Sequence, residues 1–337
     1  MARPNNEFLL AWSSLSGDAP SSGWQTISLA PAGSIEVRAG RRSPDNAEAI
    51  LVCFPTASLA RKEKLPEGQG FLVERVDLES PGQLRLALTR QAAGSVELFA
   101  AMVCDVVGAI DDAAASGVTE VKLLSVFIQR VVAWQRFMSR GSSPLGPEAE
   151  LGLVGELVFL EHLLRAGIST ETVLESWVGP DDAPQDFVLG DGAIEVKATL
   201  STAGFPVKIG SLEQLDDSTV SPLFLGAIRF VRESGGRTLP EVISSVEHLL
   251  ANDLTAVVFV RQKLLTAGYI ASHAAAYTRT FEVKEVRTYR VTSDFPRLTT
   301  GAVPEGISRA IYEIDLERIK GFFSDLPSAL RVLGVVK

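Results

Sequence analysis

Residues 185–199 read Gln-Asp-Phe-Val-Leu, then Gly-Asp-Gly, then Ala-Ile-Glu-Val-Lys-Ala-Thr. An apolar run, a turn of glycine and aspartate, and a second, β-branched run confine this stretch to a tight β-hairpin. Along its second strand successive side chains point to opposite faces, so Ile194 and Val196 take one side and Glu195 and Lys197 the other. Asp186 enters the first strand and can lie beside that polar face. Two carboxylates and a lysine gathered on neighbouring strands form a hard-cation site with an ammonium next to it. Oxygen ligands suit Mg2+ or Mn2+, which keep several waters and bind through one or two carboxylates plus substrate phosphate. The lysine can orient or deprotonate an attacking water and offset charge developing on a phosphate. The outline is that of a phosphodiester-cleaving centre.

The neighbouring stretches bear on this centre. Pro147 is placed to open a helix. Plotted at about 100° per residue, residues 148–166 put Leu153, Leu157, Leu160, Leu163 and Leu164 on one arc, with Glu156 inside it and Glu161 and Arg165 away from it. A carboxylate among leucines is costly without a cation or a hydrogen bond, so Glu156 either reaches water at the edge of the face or joins the site. Residues 176–184 read as a loop by their glycine and two prolines. Asp181 in that loop competes with Asp186 as a ligand, and Asp186 is preferred because it runs directly into the Phe-Val-Leu strand; Asp182 and Asp191 read as turn residues. Beyond the hairpin, residues 205–209 read as a third strand carrying Lys208, and Ser211 can cap a short helix bearing Gln214.

Asp186, then Glu195, one residue and Lys197 resemble the PD-(D/E)XK nuclease superfamily, the fold of many restriction enzymes. Within it the chain is similar to a bacterial family defined mainly by that motif. Glu156, in Gly-Glu-Leu on the preceding helix, stands where many members carry an extra acidic residue. Gln214, in Ser-Leu-Glu-Gln-Leu after the next strand, stands where some branches place a glutamine near the centre. The resemblance covers residues 146–230 most specifically and implies helix, three strands, helix and a further strand. It also implies a metal-dependent endonuclease, with Asp186, Glu195 and the Val196 carbonyl on Mg2+ or Mn2+, Lys197 on the attacking water, and Glu156 on an outer water or second ion. Restriction or phage defence is the implied setting, with double-stranded DNA favoured over RNA as substrate. Other defence proteins and a second copy of the chain are the implied partners. The competing reading is a catalytically silent subunit that keeps the fold and binds DNA or a protein.

The expected fold class is α/β (α+β), a restriction-endonuclease-like mixed sheet flanked by helices, preceded by a β-rich domain. Residues 1–92 alternate short apolar runs with glycine, proline and aspartate breaks. Residues 93–145 read as a helical connector and 146–337 as the nuclease-like domain. In the connector, Val121, Leu124, Ile128 and Val131 mark one face of a helix whose Lys122, Arg130, Arg136 and Arg140 are either a solvated face or a strip for phosphates. Arg279, Lys284, Arg287 and Arg290 make residues 278–291 the most basic strand, either a charged edge or a DNA-facing rim.

Bulk properties narrow the classes. Of 337 residues, 46% are hydrophobic and 22% charged, which is a globular composition. No run approaches the ~18 apolar residues of a membrane span, and the first residues lack the core of a secretory signal, so a cytoplasmic location is expected. Cys53 and Cys104 stand far apart in apolar contexts, which argues against a disulfide framework or zinc site. A net charge of −9 argues against a general nucleic-acid coat while leaving room for a local basic groove. No phosphate-binding glycine loop, G-x-S-x-G elbow or H-E-x-x-H is present.

Overall fold

The structure, a computed structural model, describes residues 7–15, 22–60, 62–76, 83–139, 143–181, 183–232 and 235–336. Arg140, the 141–142 part of the linker, Asp182 and residues 233–234 lie outside them. The chain divides into two compact units, Met1–Ser142 and Ser143–Lys337. Among the described residues no helix is long and apolar enough to cross a membrane.

The first unit opens with α1 (Glu7–Ser14), followed by β1 (Gly23–Ser28), β2 (Glu36–Ser43), β3 (Ala47–Phe54), β4 (Glu67–Gly68), β5 (Phe71–Arg75) and β6 (Leu84–Arg90). The strands form one sheet in the order β1-β2-β3-β6-β5-β4, every neighbouring pair antiparallel. β3 carries the longest apolar run and is buried on both faces, as its central place requires. Two helices follow and belong to the same unit, α2 (Val96–Ala115), capped by Ser95, and α3 (Glu120–Ser139). The inward face of α3 differs from the expected one. Leu123, Leu124, Phe127, Val131 and Trp134 are buried while Val121 is 65% exposed. Arg130, read as a solvated or phosphate-facing cation, is buried against Asp105 of α2, its Nε 2.6 Å from Oδ2, and Trp134 Nε1 donates to the same carboxylate at 2.7 Å. Half-buried Asp105 thus takes three donors from α3, while Leu124 and Val131 of the expected face stay buried.

The second unit contains α4 (Pro147–Arg165), α5 (Thr170–Ser176), β7 (Phe187–Leu189), β8 (Gly192–Thr199), β9 (Pro206–Ile209), β10 (Leu223–Val231), α6 (Leu239–Leu249), α7 (Leu254–Thr266), β11 (Glu282–Val291), β12 (Tyr312–Asp315) and α8 (Leu326–Val332). Its main sheet is mixed, in the order β11-β10-β8-β7. β8 and β10 run parallel, and the outer pairs are antiparallel. The mixed sheet flanked by helices is the expected nuclease-like architecture. Ile194, Val196, Phe224 and Ile228 join α4, α6 and α7 in one core; Ala193, Leu225 and Ala227 join β9, β12 and Tyr289 in another. Two glycines bring α4 down on the sheet: a Cβ at Gly155 would lie 2.7 Å from Ala198 Cβ, and one at Gly226 2.7 Å from Phe159.

The third strand, β9, pairs antiparallel with β12, outside the hairpin's sheet. Two local expectations are corrected. Residues 211–215 form bends and a turn instead of a helix. Glu161, placed away from the apolar arc of α4, is buried because Arg237 reaches it at 2.8 Å; Glu150 on the same helix is buried against Arg279. The basic strand β11 is an edge strand. Arg287 pairs with Glu285 and Glu317, whereas Lys284 and Arg290 stay exposed.

Candidate active site

The hairpin turns at Gly190, whose φ of +60° suits glycine, and Asp191 N donates to Leu333 O at 3.0 Å, tying the turn to the end of α8. β8 then carries Glu195 and Lys197 on the side away from α4. Lys197 Nζ lies 2.5 Å from Glu195 Oε1. Glu195 is 1% exposed; its Oε1 is held by the Lys197 ammonium, and its Oε2 has no partner among the described residues. Asp186, at the entry to β7, accepts from Val196 N at 2.7 Å through Oδ2, which fixes one oxygen and leaves Oδ1. Glu156 reaches the same place from α4, with Oε2 accepting from Trp177 Nε1 at 2.8 Å. A Cβ on Gly179 would stand 2.7 Å from Asp186 Oδ1 and 3.0 Å from Glu156 Oε2, so both carboxylates press on one backbone position.

The electrostatics follow from this crowding. Burial, then repulsion from Asp186, pushes the Glu156 carboxyl up to about 8, against the pull of the Trp177 hydrogen bond and Lys197. Burial also raises Asp186, with Lys197 and the Val196 amide opposing it. Glu195 is driven well above the carboxylate range by burial, then by Asp186, with Lys197 acting against. Burial draws the Lys197 ammonium down, but Glu195 and Asp186 outweigh it and leave it above its ordinary value. Three acids thus share one cation.

That shortage of positive charge, with Oε2 of Glu195 left without a partner among the described residues, fits a divalent cation. Among the described residues no group of three or more His, Cys, Asp or Glu is placed to hold a metal ion by itself. Mg2+ does not require one, since it retains waters and takes only one or two carboxylates.

The structure therefore gathers Asp186, Glu195, Lys197 and Glu156. It leaves Gln214 closing its own loop, with Oε1 accepting from Gly210 N at 2.7 Å. Gln185, just before Asp186, donates to Glu213 O at 2.9 Å and holds that loop beside the hairpin. Asp181 lies in a 3-10 turn (Gly179–Asp181) and pairs with Lys263 of α7. Lys208 pairs with Glu148 at 3.3 Å, both exposed. Sequence reasoning passed over Trp177 and Gly179, whose only signal was a tryptophan and a glycine in the loop before the motif.

A family model described as "Putative PD-(D/E)XK family member, (DUF4420)" matches residues 9–317. The chain belongs to this family. No curated protein and no solved structure matches it. The PD-(D/E)XK family match runs through both compact units, so the first unit is part of what defines the family.

Proposed function

We propose that this PD-(D/E)XK family member is a divalent-metal-dependent endonuclease acting on double-stranded DNA, in restriction or phage defence. The observation that carries the reading is Glu195. It is a carboxylate sealed in the protein beside Asp186, with Lys197 on Oε1 and no donor on Oε2 among the described residues. An oxygen so placed is costly in isolation, and a divalent cation shared with Asp186 is the simplest compensation beyond Lys197. Asp186, Glu195 and the Val196 carbonyl are the proposed ligands of Mg2+ or Mn2+. When bound, the ion supplies Lewis-acid polarisation of the scissile phosphate. Lys197, whose proton is held by its acidic neighbours, orients the attacking water by donation and balances charge on the phosphate. Glu156 accepts from an outer water or faces a second ion.

The deciding experiment is calorimetric titration of Mn2+ into the parent and Glu195→Ala, followed by plasmid nicking with both. Binding that disappears in the variant, with nicking by the parent, supports the reading. A parent that neither binds Mn2+ nor nicks with added Mg2+ removes it. One observation favours the silent-subunit alternative. Residues 143–337 carry 18 Lys and Arg against 26 Asp and Glu, a poor surface for DNA without help. Under that alternative the parent binds DNA or another defence protein and leaves the plasmid intact.

A further inference from the structure

The segment between α5 and β7 is drawn around the site as closely as the motif residues themselves. Trp177 has no exposed surface, and its indole N–H ends on Glu156 Oε2 at 2.8 Å. The next two amides, Val178 N and Gly179 N, both donate to the main-chain oxygen of Asp186, at 2.9 and 3.0 Å. Gly179 passes so near both carboxylates that a Cβ would collide with Asp186 Oδ1. The turn is closed by Asp181 N donating to Val178 O at 2.9 Å and is pinned to α7 by the pair of Asp181 with Lys263. One short strap therefore grips a side-chain oxygen of Glu156 and the backbone of Asp186.

We propose that Trp177 is a positioning residue: its indole N–H occupies Oε2 of Glu156 and leaves Oε1 as the oxygen that this carboxylate offers to a cation or water. The role of Oε1 rests on the metal-dependent reading; the grip of the indole on Glu156 does not. The choice of tryptophan has a chemical reason. Glu156 stands beside Asp186 and Glu195, and repulsion alone would turn it away. An arginine or lysine would hold it but would cancel the negative charge that attracts a cation. An indole N–H is a donor without formal charge, on a rigid ring. The Trp177 ring is packed in the helix-side core with Phe187 and Leu174, so its direction is set by burial. Gly179 is the complement, since only a residue without a side chain lets the strap pass this close.

The test uses the full chain as parent, Trp177→Phe, Glu156→Gln and the double variant. Phenylalanine keeps most of the buried ring and removes the N–H. The chain has four tryptophans, so indole N–H resonances of 15N-labelled protein are few, and Trp177→Phe assigns its own by deletion. Glu156→Gln is expected to shift the Trp177 resonance and leave those of Trp12 and Trp134 in place. Trp177→Phe is expected to weaken Mn2+ binding about tenfold, the usual scale for a group that orients a ligand, and to add nothing in the Glu156→Gln background. Equal weakening in both backgrounds, or none in the parent, overturns the proposal, as does an indole resonance indifferent to Glu156→Gln. If the parent binds no Mn2+, the metal-dependent reading falls. The positioning role is then decided by the resonance and by the double-mutant coupling in urea unfolding, where zero coupling overturns it. Should Trp177→Phe fail to fold, Gly179→Ala carries the test, with the Trp177 resonance assigned by elimination through Trp12→Phe, Trp24→Phe and Trp134→Phe. Its Cβ is expected to displace Glu156 and move the Trp177 resonance, and an unmoved resonance with unchanged Mn2+ affinity overturns the proposal.

Discussion

At the scale of single residues, the two aspartates of the loop and hairpin separate cleanly. Asp186 has one oxygen fixed by Val196 N and the other close against Gly179, whereas Asp181 pairs with Lys263 and keeps nearly half its side-chain surface. Asp186→Ala, Glu195→Ala and Lys197→Ala are each expected to abolish metal-dependent nicking with the fold retained, and Asp181→Ala to keep most of it. Loss on Asp181→Ala with retention on Asp186→Ala would move the ligand into the loop. Glu156 carries a pH signature. Its folded value of about 8 exceeds its ordinary 4.5, so the folded protein holds this proton more tightly than the unfolded chain. Stability contributed at low pH is then lost as pH rises from about 4.5 to about 8. Glutamine mimics the protonated acid. In metal-free urea titrations the advantage of Glu156→Gln over the parent should grow across that window and level off above it. A difference that stays flat with pH would show that the carboxyl is not raised. The same shift makes Mn2+ affinity in the parent increase with pH through about 8, because the cation displaces a proton.

At the scale of elements, the hairpin and its motif were legible because a two-residue turn and period-two alternation are local signals. The packing of α4 was legible only in part. Its leucines announced an apolar face, but Glu150 and Glu161 are buried by Arg279 and Arg237, partners more than seventy residues away, and no helical wheel contains them. The same blindness hid the burial of Arg130 and the partner of β9, since β12 lies a hundred residues on. Trp177 stayed hidden because a loop tryptophan declares a role only when the helix it faces is in place. Two glycines of α4 give this a measurable form. Gly152 meets nothing within 4 Å of an added Cβ, whereas Gly155 meets Ala198 Cβ at 2.7 Å. Gly152→Ala should therefore stabilise the chain by up to about 1 kcal/mol through helix propensity. Gly155→Ala should destabilise it by about 1–3 kcal/mol through overpacking and weaken Mn2+ binding by lifting Glu156, with Ala198→Gly restoring both. Equal effects at the two glycines in denaturant titrations would mean that α4 does not rest on β8 there.

At the scale of the whole chain, charge and core are distributed unevenly. Residues 1–142 hold 14 Lys and Arg against 15 Asp and Glu, so the net −9 resides almost wholly in residues 143–337. In that second unit Arg237, Arg279, Arg287, Arg297 and Lys263 are each committed to an acid of the same unit. Their charge stabilises the fold and is spent as far as a polyanion is concerned. Both apolar clusters around the mixed sheet and every candidate site residue also lie within the second unit. Residues 143–337 expressed alone should therefore unfold in a single cooperative transition and retain the Mn2+ affinity of the full chain. Their binding to DNA should be weak and shallow in salt. A protein with about 6–10 phosphate contacts loses three or more decades of affinity between about 50 and 200 mM salt; this unit should lose less than about one, as befits one or two contacts. The measurement is fluorescence anisotropy on a labelled duplex, in Ca2+ so that cleavage does not intrude, for the second unit and for the full chain. A steep slope in the second unit would mean that Lys284, Arg290 and their neighbours form a working groove despite the acidic balance. A shallow slope there with a steeper one in the full chain would give the first unit the task of holding DNA, and shallow slopes in both would pass that task to a partner protein.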